Sequence, residues 1–233
     1  MNARWLWTVA NLLGFAGAGA VFGAVQRLRS QQYYEVVMTA SEAVRIEAVN
    51  VAESLTLFGA LVGIAQWLVL RRGGHSAWWI PVTAAGWCLT GAVVGAISGF
   101  AFGSISSIGP HRSAAVMVVA AVIVALVVAF LPSGAQWFVL RRRRPGAERW
   151  PLVNLAGLIA GLTTAAIVVR WALVDVVPWL TPYDFPSAKA LVCVGGVTGL
   201  VYGLITAPWT VTHLIAASRP VSYREVRVPG RSR

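Results

Sequence analysis

This chain is poor in charge, and in acids above all. Charged residues fill 12% of its 233 positions, and only eight are Asp or Glu. A soluble domain carries about twice that fraction, so a water-exposed globular surface does not fit. Cysteine is nearly absent. Cys88 and Cys193 stand in different apolar runs, which excludes a disulfide framework. Histidine is as scarce. His75 and His111 fall in polar loops and His213 at the end of the last apolar run, with no two at ligand spacing on one helix. That leaves no axial pair for a b-type haem and no metal site. The H-E-x-x-H, C-x-x-C and G-x-S-x-G motifs are all missing. Ser104, Ser106 and Ser107 lie near His111, but loop serines are common and form no catalytic set here. The residues predict no enzyme, no cofactor and no metal.

What is abundant is apolar. Hydrophobic residues make up 58% of the chain. Six runs approach or exceed the roughly 20 residues a bilayer crossing needs: about Trp5 to Val25, Val51 to Leu70, Trp79 to Gly103, Ala114 to Leu140, Trp150 to Val169 and Ala190 to Leu214. The fold class expected is an all-α polytopic membrane protein. The first run follows Met1-Asn2-Ala3-Arg4 and outlines a signal peptide. It is too long for an h-region, however, and it resembles two later spans. Pro132 in span four predicts a kink.

From Ala24 to Phe58 there is neither glycine nor proline. Between Gln31 and Asn50, Val37, Ala40, Val44 and Ala48 share a helical face that Val51 extends. This stretch predicts an amphipathic outer helix on the membrane or capping the bundle. A helical extension of the flanking spans fits equally well.

Glycine has a pattern. Gly91, Gly95, Gly99 and Gly103 recur every fourth residue, as do Gly195, Gly199 and Gly203. On a helix each set lies on one face and leaves a groove where a second backbone approaches closely. These are the expected helix-packing residues. One ribbon left facing lipid would receive a partner.

The chain also repeats itself. Gln66-Trp67-x-Val69-Leu70-Arg71-Arg72 recurs as Gln136-Trp137-x-Val139-Leu140-Arg141-Arg142. Trp209-x-Val211 is a worn third copy, with Pro208 where the glutamine would stand. Trp7, Trp79 and Trp150 each precede a glycine by seven residues, Gly14, Gly86 and Gly157. Four residues after each Trp stand Asn11, Thr83 and Asn154. Three parallel helical hairpins follow, about 1–72, 73–144 and 145–215, around a pseudo-threefold axis. A basic cytoplasmic tail, 216–233, completes the chain.

Charge sets the orientation. The N-terminus, the two Arg-rich loops and the tail carry 13 of 19 basic residues and two acids, the whole net charge of +11. The positive-inside rule then places both termini in the cytoplasm. The expected location is the cell (inner) membrane, with the arginines against anionic headgroups. The tail offers only Tyr223 for stacking, so no nucleic-acid role is expected.

Three groups of polar residues are candidates for function. Asn11, Thr83 and Asn154 share a depth and either form a polar ring or bond between helices. Glu53 with Arg170, or Arg45 with Asp175, would line an outer vestibule. Gln66, Trp67, Gln136 and Trp137 read as interfacial anchors. The reading adopted is a non-enzymatic membrane protein acting through helix packing, an accessory or scaffold subunit or a small homo-oligomer. The alternative is a small-molecule binding or transport protein. By topology alone, six spans with both termini inside resemble the substrate-binding components of vitamin importers. The threefold hairpin repeat is also similar to mitochondrial carriers, but their P-x-[DE]-x-x-[KR] signature is absent after the odd spans.

Overall fold

The computed structural model describes residues 2–33, 39–105, 110–141, 146–174 and 188–215, with side chains except at 30–33, 40, 101–105, 110–118, 169–174 and 188–190. Every regular element among them is helical: α1 (Ala3–Tyr33), α2 (Ala40–Leu70), α3 (Trp79–Ile105), α4 (Pro110–Leu140), α5 (Trp150–Val174) and α6 (Ala188–Thr210). Each holds a stretch long and apolar enough to cross a membrane. The chain is built as a multi-pass membrane protein.

The helices pack as a ring in chain order, and α6 returns to close on α1. The most extensive contacts are α2 on α3 and α1 on α6, and the slightest is α4 on α5. Glycine explains the first two. A Cβ on Gly91 would lie 2.5 Å from the Val51 carbonyl oxygen of α2. On Gly99 it would lie 2.7 Å from Val44 Cα, and on Gly203 2.8 Å from Thr8 Cα. Gly95 faces Glu47 and Ala48, Gly195 faces Phe15, and Gly199 faces Asn11 and Phe15 as closely. Both ribbons therefore face neighbours within the bundle, so neither of these faces is left over for a partner. Gly103 lies outside the described side chains.

The separate amphipathic helix over Gln31 to Asn50 is not what forms. Thr39 caps a new helix: its Oγ1 accepts from the Glu42 backbone N–H at 3.4 Å, and Glu42 Oε2 accepts from the Thr39 N–H at 2.9 Å. From that capping box α2 runs unbroken for 31 residues, about 46 Å at 1.5 Å per residue. This exceeds the roughly 30 Å hydrocarbon core. The amphipathic turns are the first turns of α2. Their apolar face is covered by α3, since Val44, Ala48 and Val51 are the residues that Gly99, Gly95 and Gly91 meet.

At the other end, two short 3-10 turns, Arg71–Gly73 and Ala147–Arg149, carry Arg71, Arg72 and Arg149. Gly74 (φ 74°) and Gly146 (φ 80°) take the left-handed conformation that these reversals require. Helix α4 continues through Pro132. Beyond Pro208 the chain widens into a π-turn, Val211–Ile215, where Thr212 Oγ1 donates back to the Pro208 and Trp209 carbonyls.

Candidate functional site

Each odd helix carries a tryptophan at or near its start that faces the ring interior: α3 and α5 begin with one, and in α1 it lies one turn in. Trp7, Trp79 and Trp150 are 0–1% exposed, and Trp150 meets both others edge to face, at 6.5 and 6.0 Å between centroids. A buried indole N–H needs an acceptor, and each finds one on the even helix that precedes it around the ring. Trp79 Nε1 donates to Gln66 Oε1 at 3.0 Å, Trp150 Nε1 to Gln136 Oε1 at 3.2 Å, and Trp7 Nε1 to Thr206 Oγ1 at 2.8 Å.

The residues one turn on complete a network. Gln66 Nε2 donates to Asn11 Oδ1 at 2.9 Å. Gln136 Nε2 donates to Thr83 Oγ1 at 3.1 Å and to Gln66 Oε1 at 3.2 Å. Asn154 Nδ2 donates to Gln136 Oε1 at 2.9 Å, and the Tyr202 hydroxyl donates to Asn154 Oδ1. Asn11 and Thr83 also bond back to the carbonyls of Trp7 and Trp79, both at 2.8 Å. All six helices thus share one hydrogen-bonded hub with no ionisable acid or base except the Tyr202 phenol. Such a hub fixes helices in place and has nothing to drive acid–base or nucleophilic chemistry at neutral pH.

Next to the hub lies a central void of about 10 Å³, lined from all six helices by Phe15, Val62, Gln66, Trp87, Pro132, Gln136, Asn154, Leu158 and Tyr202. It is near the minimum that holds a single water. Among the described residues no three His, Cys, Asp or Glu converge.

Asn11, Thr83 and Asn154 are indeed brought together, at 0–2% exposure, but through the two glutamines rather than as a direct ring. Gln66 and Gln136, expected at the headgroups, are instead 1% and 3% exposed and are the centres of the hub. Their neighbours lie nearer the surface, although Trp67 Nε1 is itself buried without a hydrogen-bond partner among the described residues. Trp67 and Trp137 are half-buried at the rim, with the Arg71 and Arg141 guanidinium groups 5.6 and 5.1 Å from their ring centroids. A one-residue step on a helix turns a side chain by about 100°, so adjacent Gln and Trp cannot both face outward.

Glu53 pairs with Arg29 of α1, whose Nη1 also donates to the Asn50 carbonyl at 2.8 Å. Gln26 donates to Ser54 Oγ alongside, at 3.2 Å. The expected partner Arg170 has no described side chain, Asp175 lies outside the described residues, and Arg45 is exposed.

Thr206 and Tyr202 are the hub residues that reading the sequence missed. The signal was there. A step of 70 residues from Gln136 reaches Thr206, not Pro208, and the same step from Val62 reaches Pro132 and then Tyr202. Comparison with protein-family models, with curated proteins and with solved structures finds no match to this chain.

Proposed function

We propose that this chain is a non-enzymatic integral membrane protein acting through helix packing, as an accessory or scaffold subunit or a small oligomer. The observation that carries this reading is the filled centre. Three buried tryptophans and a neutral hydrogen-bonded hub occupy the axis at the arginine end, beside a void of about 10 Å³. A drug-sized ligand needs a pocket of roughly 300 Å³ or more.

The bundle is, in this reading, three hairpins about a pseudo-threefold axis. The indole acceptors at 66, 136 and 206 are evenly spaced in the chain. The close contacts repeat as well. Gly59 meets Trp87 as Gly199 meets Phe15, and Gly63 meets Thr83 as Gly203 meets Asn11. In the third seam the corresponding α4 residues are Ala129 and Ser133, both buried, and there the packing is slightest.

The orientation proposed puts both termini and the Arg71, Arg72, Arg141 and Arg149 rim in the cytoplasm, against anionic lipid headgroups of the cell membrane. The charge asymmetry of the loops supports it. The thin α4–α5 seam also favours a second reading, small-molecule transport, in which that seam opens.

One purification separates the two. Native mass spectrometry of the full chain from mild detergent is expected to show a stoichiometric protein partner or a defined oligomer. A stoichiometric small metabolite on a monomer overturns the scaffold reading in favour of transport. A C-terminal tag found outside the cell overturns the orientation.

A further inference from the structure

We propose that the seam between α4 and α5 holds one acyl chain of a phospholipid, in the half of the bundle away from the Gln66–Gln136 hub. At the hub end the seam is closed, and Ala129, Ser133, Gln136 and Leu140 of α4 are buried. Beyond Ala129 it opens. Ala125 and Val122, four and seven residues earlier, share a helical face with Ala129. Yet Ala125 is exposed, and Val122 is 55% exposed. No residue from Val119 to Val127 is buried. Seventy residues to either side of Ala125, Leu55 packs on the core and Gly195 meets Phe15 of α1.

The cause is on α5. Twelve and sixteen residues after the buried tryptophan, α1 carries Gly19 and Gly23, and α3 carries Gly91 and Gly95. All four are buried, and Gly19 and Gly91 lie against the backbones of α6 and α2. At the same steps from Trp150, α5 carries Leu162 and Ala166, both exposed. Without the glycines, α4 does not approach α5 as α6 approaches α1 and α2 approaches α3.

The dimensions select the occupant. Val119 to Ala129 covers about 15 Å at 1.5 Å per residue. That is half of the roughly 30 Å hydrocarbon core, the depth of one leaflet. A second copy or a partner helix crosses both leaflets, and the closed hub end gives it no continuation. The walls, Ala121, Val122 and Ala125 on one side and Leu162 and Ala166 on the other, are apolar. Arg112 and Arg170 are the only charged residues in α4 and α5, and both stand at the open end. The phosphate that every phospholipid carries finds cations there.

Native mass spectrometry of the full-length chain in mild detergent with added phosphatidylglycerol tests this. One phospholipid per chain is expected to survive the collisional activation that strips lipid from the convex surface. Ala125→Trp and, separately, Val122→Trp fill the crevice and are expected to lose that lipid. Leu89→Trp, at a 59% exposed position of α3, is expected to keep it. No retained lipid on the unaltered chain overturns the proposal. So does equal retention in a crevice variant that elutes as the unaltered chain does. A map of the chain in a lipid nanodisc is the second measurement. A single tubular density along Val122 and Ala125 is expected there, and an empty crevice, or a helix inside it, overturns the proposal.

Discussion

Gln66 and Gln136 stand 70 residues apart in the chain and donate one to the other, Gln136 Nε2 to Gln66 Oε1, at 3.2 Å. Each also accepts an indole N–H from the next odd helix. The pair therefore couples α2 to α4 and, through the indoles, α3 to α5. No charge is involved, so the link should be insensitive to salt and to pH near neutrality.

Replacing Gln136 by leucine keeps much of the volume and removes the polar end. Trp150 Nε1 and Asn154 Nδ2 each lose Gln136 Oε1, their acceptor. Orphaned buried donors cost about 1–3 kcal/mol each, although interhelical hydrogen bonds measured in a bilayer protein average nearer 0.6 kcal/mol. Gln136→Leu should lower the unfolding temperature in detergent clearly, and Trp137→Leu at the half-buried rim should lower it less. Equal losses would mean that the hub stabilises the bundle no more than the half-buried rim does.

The glycine positions divide sharply. A Cβ on Gly91 or Gly99 would meet the α2 backbone at 2.5 or 2.7 Å, whereas one on Gly17 or Gly134 meets nothing within 4 Å. Backbone cannot move aside as the end of a side chain can. Gly91→Ala and Gly99→Ala should separate α2 from α3 and yield aggregated or poorly expressed protein, measured by size-exclusion chromatography. Gly17→Ala and Gly134→Ala should leave the profile unchanged. They could even stabilise the chain by up to about 1 kcal/mol through helix propensity.

Much of this architecture could be read from residue order, and the reasons are physical. Length and apolarity specify a spanning helix, because lipid demands internally satisfied backbone. That is why α3 and α5 begin at Trp79 and Trp150, as the runs suggest. The polar residues were harder. Gln66 beside Trp67 reads as an anchor because both residue types favour interfaces, and only the partner helices reveal which of them turns inward. The outer helix was misplaced because the Val44, Ala48 and Val51 stripe signals an apolar cover without saying whether lipid or α3 supplies it. The box Thr39-Ala40-Ser41-Glu42 already marked where α2 starts. Thr206 was hidden because its hydroxyl replaces an amide oxygen with no likeness in residue type.

The Arg29–Glu53 pair should matter little to stability. Its side chains are 24% and 59% exposed, and such pairs contribute about 0–1 kcal/mol. Glu53→Gln is expected to change the unfolding free energy by less than about 1 kcal/mol, and added salt should shrink the difference further. Thermal unfolding in detergent at two ionic strengths checks this. A larger and salt-resistant loss would assign the pair a structural or functional role that its exposure argues against.

In the threefold reading proposed above, α6 lacks the glutamine that α2 and α4 carry, and two of its residues divide that work. Thr206 accepts the Trp7 indole, as Gln66 and Gln136 accept Trp79 and Trp150. Tyr202 donates to Asn154, as the two glutamine amides donate to Asn11 and Thr83. Position 202 corresponds to Val62, so Tyr202→Val with Thr206→Gln would recreate the first hairpin's Val62–Gln66 arrangement. Tyr202→Val alone opens a cavity and strands Asn154, a loss of roughly 3 kcal/mol or more by analogy with other large aromatic truncations. Thr206→Gln alone adds an amide where Tyr202 already fills the space, and overpacking costs about 1–3 kcal/mol. Together the two changes should cost less than Tyr202→Val by itself, because the new amide reaches the acceptor that the phenol vacated. Contacting residues that act as one unit depart from additivity in this way. A double variant whose unfolding temperature falls by the sum of the single losses would show that Tyr202 and Thr206 are independent, and the threefold correspondence would then stop at the second hairpin.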